Sequence, residues 1–129
     1  MRVLLDTHLL LWALSQPSKL SSAIRKQIIS AEVYVSAASI WEISIKSSLR
    51  RLELSGLLLE KIPEDLERHG FSALPINFRH ALAVHDLPFH HSDPFDRMLI
   101  AQAQCEDLVL LTADPSIMAY DVRTLDASR

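Results

Sequence analysis

Apolar residues along the chain alternate between short unbroken runs and helical spacing, and that alternation sets the reading of the fold. Residues 2–5, RVLL, form a brief apolar run that stops at Asp6-Thr7. LLLWAL then continues with helical character, so the pattern predicts a buried strand followed by a helix. Ser21 and Ser22 offer a cap for a helix through about Ser30, with Ile24, Ile28 and Ile29 on one face and Arg25, Lys26 and Gln27 outside. VYVS at 33–36 reads as a second strand, and residues 37 to about 51 as a helix whose core positions are Ile40, Ile43 and Leu49.

Residues 52–70 read as a helical connector of two short helices, limited by Pro63 and stopped at Gly70. FSALPI is a brief extended segment, and Asn77 caps a short helix that ends before Pro88. His80 and His85 read there as surface or half-buried positions. Pro94 opens the central helix, PFDRMLIAQA, with a broad apolar stripe. LVLLT is a near-continuous apolar run typical of a strand covered on both faces, and DVRTLD at 121–126 closes with period-two alternation. Strands alternating with helices imply an α/β fold, one domain over 1–129, with a mainly parallel central sheet flanked by helices.

Composition narrows the function more than the fold. With 129 residues and 49% hydrophobic content the chain can bury a sizeable core. The single cysteine, Cys105, gives no internal disulfide, no signal peptide is evident, and no apolar run approaches about 18 residues, so a cytoplasmic protein without membrane contact is the expectation. A formal charge of −3 does not advertise non-specific nucleic-acid binding, although cations bound to clustered acids would cancel much of it. Only two glycines, Gly56 and Gly70, exclude a glycine-rich phosphate loop.

The chemistry is carried by acids at strand ends. Asp6 follows the first strand, Glu42 lies six residues after the end of the second, and Asp114 follows LVLLT, all toward the carboxyl edge where open α/β sheets place ligand groups. Asp96 sits in the first turn of the central helix, three residues after Asp93. Each acid has a simpler explanation: a helix cap for Asp6, macrodipole complementarity for the Asp93 and Asp96 pair, and a salt bridge to Lys46 for Glu42. Four such coincidences at one edge are less economical than one metal site. Oxygen-only ligands favour Mg²⁺ or Mn²⁺, whereas His90, His91 and Asp93 would be an incomplete zinc set. A hard cation activating water suits phosphodiester hydrolysis, and no acyl-transfer motif competes. Thr112 and Ser36 are accessory candidates for orienting a water or ligand, and Arg97, Lys46, Arg50 and Arg51 are candidate phosphate contacts.

LLDTHLLLWAL, VSAASIWEISIK, LPFHHSDPFDRMLIAQA and LLTAD, in this order and covering essentially the whole chain, resemble the PIN-domain family, and closely the VapC-type toxins of bacterial toxin–antitoxin pairs. The resemblance implies a Mg²⁺- or Mn²⁺-dependent endoribonuclease whose acidic quartet falls on Asp6, Glu42, Asp96 and Asp114, with Asp93 an accessory capping residue. It also implies an RNA substrate, a VapB-type antitoxin partner that occupies the acidic groove, and a homodimer. Leu9, Leu10, Leu11, Trp12, Leu57, Leu58 and Leu59 exceed the obvious needs of one sheet face, so some are expected to line an apolar groove for a partner helix. The alternatives are a catalytically inactive PIN-like module that binds RNA or protein, and a phosphoacceptor receiver, which would need a late lysine that is missing beyond Lys61.

Overall fold

The computed structural model describes residues 1–50, 52 and 56–128. Five short strands form one parallel sheet in the order β3-β2-β1-β4-β5. They are β1 (Arg2–Leu5), β2 (Glu32–Ser36), β3 (Ser72–Leu74), β4 (Val109–Thr112) and β5 (Thr124–Asp126). The helices are α1 (Thr7–Ser15), α2 (Ser22–Ser30), α3 (Ala37–Ser48), α4 (Ile62–Arg68), α5 (Phe78–Ala83), α6 (Pro94–Glu106) and α7 (Pro115–Met118). The α/β reading therefore holds, with a fully parallel sheet.

Burial on both faces explains why the central strands read as unbroken apolar runs. Val3 and Leu5 of β1 pack with Val33, Val35 and Leu111 under α1, α2 and Ile43 of α3, while Leu4 turns to the other face with Leu110 beneath Leu99, Ile100 and Ala103 of α6. Strand order reverses at β1, whose successor β2 lies on one side and β4 on the other. The crevice at the carboxyl ends of β1 and β4 is thus the switch point of the sheet, where this architecture leaves room for a ligand.

Several local readings need correction. Helix α3 stops at Ser48 because Arg50 adopts a left-handed backbone, φ 57°, and Leu49 is left exposed rather than in the core; Arg51, the expected end, lies outside the described residues. Ile29 points to solvent although Ile24 and Ile28 are buried. In the connector only Leu59–Lys61, a single 3₁₀ turn, and α4 are helical among the described residues. Gly70 does end α4, with φ 73° and its N–H on the Glu67 carbonyl. The last strand is shorter than 121–126, and the one-turn α7 is too short for hydrophobic periodicity to reveal. Leu9, Leu10 and Leu11 are core residues of α1, so the expected apolar groove loses its α1 leucines, leaving Leu58 and Leu59 exposed.

His80 is fully buried, with 1% of its surface accessible, rather than half-buried or at the surface. Its Nδ1 faces the Asn77 N–H at 3.2 Å and Gln102 Nε2 at 3.4 Å, and its Nε2 faces Glu106 Oε2 at 3.4 Å. A capping box between Asn77 and His80 creates this geometry and draws the ring inward.

Candidate metal centre

Three of the site's aspartates are helix caps that begin immediately beyond strands or a turn. Asp6 caps α1, its Oδ1 accepting from Leu9 N–H at 2.9 Å, while β1–β4 pairing continues into an Asp6 N–H bond to the Leu111 carbonyl. Its other oxygen, Oδ2, accepts from Thr112 Oγ1 at 2.6 Å, across the switch point. Asp114 caps α7 through Oδ1 on Ser116 N–H at 2.8 Å and leaves Oδ2 turned toward His91. Asp93 caps α6, with Oδ1 accepting from both Phe95 and Asp96 N–H groups.

Asp96, on the first turn of α6, lies within reach of the other acids. Burial, reinforced by the charges of Asp93, Glu42 and Asp6 and opposed by His91, pushes its carboxyl up to about 7. Asp6 is also raised, chiefly by burial and in small part by Asp114, against the hydrogen bonds from Thr112 and Leu9. Glu42 reaches the same cluster from α3 with 5% exposure; Lys46, one turn later, pairs with its Oε2. The Glu42 hydrogen bond lifts the Lys46 ammonium above its ordinary value. Glu42 Oε1 is buried and has no hydrogen-bond partner.

An orphaned buried carboxylate oxygen is costly, and here it stands beside Asp96, which burial and the neighbouring acids already raise. Both features fit a divalent cation. The oxygen donors of Asp6, Glu42, Asp96 and Asp114 are the hard set that Mg²⁺ or Mn²⁺ takes. His91, Asp96 and Asp114 bring one potential ligand atom each within 4.8 Å of one another. His91 is the residue that spacing along the chain did not single out, beyond its place in the incomplete zinc set. The only signal for it was position, two residues before a helix cap, from which a side chain folds back over the first turn.

Two accessory readings take different places in the structure. Thr112 is at the centre, donating to Asp6 and accepting from Asp114 N–H at 3.0 Å. Ser36 is not: it caps α3 and donates to Gln102 Oε1 at 2.5 Å in a fully buried pair. Arg97 is no exposed phosphate contact either. With 5% exposure, it donates to the carbonyls of Pro88, His91, Val84 and Leu87 and to Tyr120 Oη, and lies 4.3 Å from the Phe89 ring centroid. Tyr120 Oη in turn donates to the Pro88 carbonyl at 2.6 Å and accepts from His91 N–H at 3.0 Å. Arg97 and Tyr120 therefore clamp the loop that carries His91. Lys46 stands beside the acids through its pair with Glu42.

The parallel sheet of this α/β fold gathers carboxylates at its switch point, a cluster that could hold a metal ion. The chain belongs to the PIN domain family, which matches residues 3–122. No curated protein matches the sequence. Among solved structures the chain resembles VapBC2 from Rickettsia felis bound to a promoter DNA fragment, at 10% identity over 98% of both chains and a TM-score of 0.70. It also resembles FitAcB from Neisseria gonorrhoeae, at 22% identity, 100% and 99% coverage and TM-score 0.66. A third likeness is VapBC-1 from nontypeable Haemophilus influenzae, at 15% identity over 100% of both chains and TM-score 0.64. These likenesses show the fold. Among the described residues no helix is long and apolar enough to cross a membrane.

Proposed function

We propose that this chain is a Mg²⁺- or Mn²⁺-dependent endoribonuclease acting as the toxin of a toxin–antitoxin pair. The carrying observation is the unpartnered, buried Glu42 Oε1 beside an Asp96 carboxyl raised to about 7. Asp6, Glu42, Asp96 and Asp114 would hold the cation. Such a cation, when bound, would supply Lewis-acid activation of a phosphoryl oxygen and of a water near neutral pH.

The chain's own groups prepare that chemistry. Thr112 and the Leu9 N–H fix both oxygens of Asp6, so this carboxylate needs no reorganisation. Asp93, by capping α6, sets the direction in which Asp96 leaves the helix. Lys46 holds one oxygen of Glu42, and its partly exposed ammonium would offer a positive charge to an approaching phosphate.

The toxin reading is supported by neighbours whose own names describe VapBC and FitAB assemblies. A VapB-type antitoxin partner follows from it. A homodimer is supported by exposed apolar residues on adjoining helices, Trp41 of α3 and Phe78 and Leu82 of α5. Trp41 and Ala81 line, with Phe95 and Met98 of α6, one apolar cleft of about 230 Å³.

The purified, antitoxin-free chain should sediment as a dimer and cleave RNA with Mg²⁺ or Mn²⁺. EDTA should stop the cleavage, and Glu42→Gln should abolish it while the protein stays folded. Undiminished cleavage in EDTA refutes the metal reading. Metal binding without cleavage of any RNA leaves an inactive PIN-like binding module, and a monomer refutes the dimer.

A further inference from the structure

His91 has every polar group engaged. Its backbone N–H and carbonyl meet Tyr120 Oη, and the carbonyl also accepts from Arg97 Nη1 at 3.4 Å. Its ring stands on a third fixed point, for the Asp93 backbone N–H points at Nδ1 from 3.1 Å. A backbone amide can only donate, so Nδ1 must present its lone pair. The ring proton then sits on Nε2, which faces Asp114 Oδ2 at 3.0 Å and Asp96 Oδ2 at 3.1 Å. Asp114 Oδ2 accepts that proton, and Asp96 Oδ2 accepts it whenever the carboxyl is ionised or carries its own proton on the other oxygen.

Close packing of one imidazole nitrogen with two carboxylates would ordinarily suggest a third metal ligand. Ligation needs an unprotonated Nε2, which would move the proton to Nδ1 and set it against the Asp93 N–H. The loop cannot readily relieve that opposition, because Asp93 is tied to α6 by its two cap bonds and the preceding turn is held by Arg97 and Tyr120.

We propose that His91 is a positioning residue and not a metal ligand: a tautomer-locked imidazole whose Nε2–H bridges Asp96 and Asp114 and fixes how far apart the two carboxylates stand. The consequence for metal choice is direct. With its one nitrogen donor turned into a proton donor, the centre offers oxygen only and disfavours cations that seek imidazole, zinc above all. Hydrogen bonding from outside the metal shell to ligating carboxylates commonly changes metal affinity by about 10- to 100-fold. The inference rests on the metal reading for its effect on affinity, but the tautomer itself is a property of the metal-free chain.

Long-range ¹H–¹⁵N correlation spectra of the intact protein in EDTA should show His91 with a bare Nδ1 and a protonated Nε2, and Mg²⁺ should leave that pattern in place. Calorimetric titration with Mg²⁺ should show His91→Ala binding about ten-fold more weakly or worse, while His91→Gln, whose amide N–H can replace the Nε2 donor, recovers to within about three-fold of the wild type. A bare Nε2 in EDTA, or loss of its proton on adding Mg²⁺, overturns the proposal. So does an alanine defect that glutamine does not repair, or no defect at all. If the wild type binds no Mg²⁺, the nuclease reading fails by itself, and the tautomer in EDTA alone decides the role of His91.

Discussion

Asp96→Asn offers the sharpest measure of how strongly the metal-free site opposes its own charge. The folded carboxyl is raised to about 7 from an ordinary 3.8. Below pH about 4 both folded and unfolded chains hold the proton, and Asp96 costs the fold nothing. As pH rises toward 7 the unfolded chain releases its proton and the folded chain keeps it, so stability falls by about 1.4 kcal/mol per pH unit and then levels off. Over the whole window the ceiling is roughly 4 kcal/mol. The side chain retains 19% of its exposure, and water on that side screens the neighbouring charges, so about 2 kcal/mol is the working figure. For a domain of this size that corresponds to roughly 8 °C in melting temperature. Asparagine preserves the shape and removes the charge. Melts in EDTA should therefore coincide for the two proteins near pH 4, with the variant ahead by that margin at pH 7.5. Adding Mn²⁺ should stabilise the wild type by an amount growing as RT ln(1 + [L]/Kd), and the variant far less. A variant no more stable than the wild type at pH 7.5, or an offset that ignores pH, would refute the electrostatic argument for the cluster.

Thr112→Val removes both the donor to Asp6 and the acceptor for Asp114 N–H, so it should cost about 1–3 kcal/mol in urea unfolding and weaken Mg²⁺ binding; unchanged values in both would remove Thr112 from the centre. Arg97→Lys leaves most of five acceptors unmatched and should lose about 2–4 kcal/mol, read as a lower urea midpoint at unchanged slope, whereas a surface phosphate contact would lose none.

Arg97 shows why part of the site could not be read along the chain. An arginine beside two aspartates at the start of a helix looks like a free cation near a catalytic edge. Its actual partners are Tyr120 Oη and carbonyls six to thirteen residues upstream, in a loop whose path is not encoded by any periodicity. His80 and Leu49 fail for the same reason in opposite directions: a cap pulls one inward, and a left-handed residue after α3 turns the other out. What was legible is what two-faced burial imposes locally, namely the strands as apolar runs, the parallel sheet, and acids just beyond strand ends. The sheet order then does the rest, since it brings the ends of β1 and β4 side by side and with them Asp6, Thr112 and Asp114.

Cap and ligand are compatible roles for Asp6, because a carboxylate has two oxygens and the structure uses both. Asp6 spends Oδ1 on α1 and turns Oδ2 across the switch point; Asp114 spends Oδ1 on α7 and turns Oδ2 to His91. Capping thereby orients the functional oxygen. The N-terminal end of a helix also favours negative charge, which offsets part of the repulsion that gathering these acids creates. Glu42 and Asp96 lie inside helices, without a cap bond of their own side chains, and Asp96 is the acid pushed up to about 7 while Glu42 holds the buried oxygen with no partner. The tension of the metal-free centre is therefore concentrated on the two carboxylates that the backbone does not satisfy, and it is there that a cation has most to stabilise.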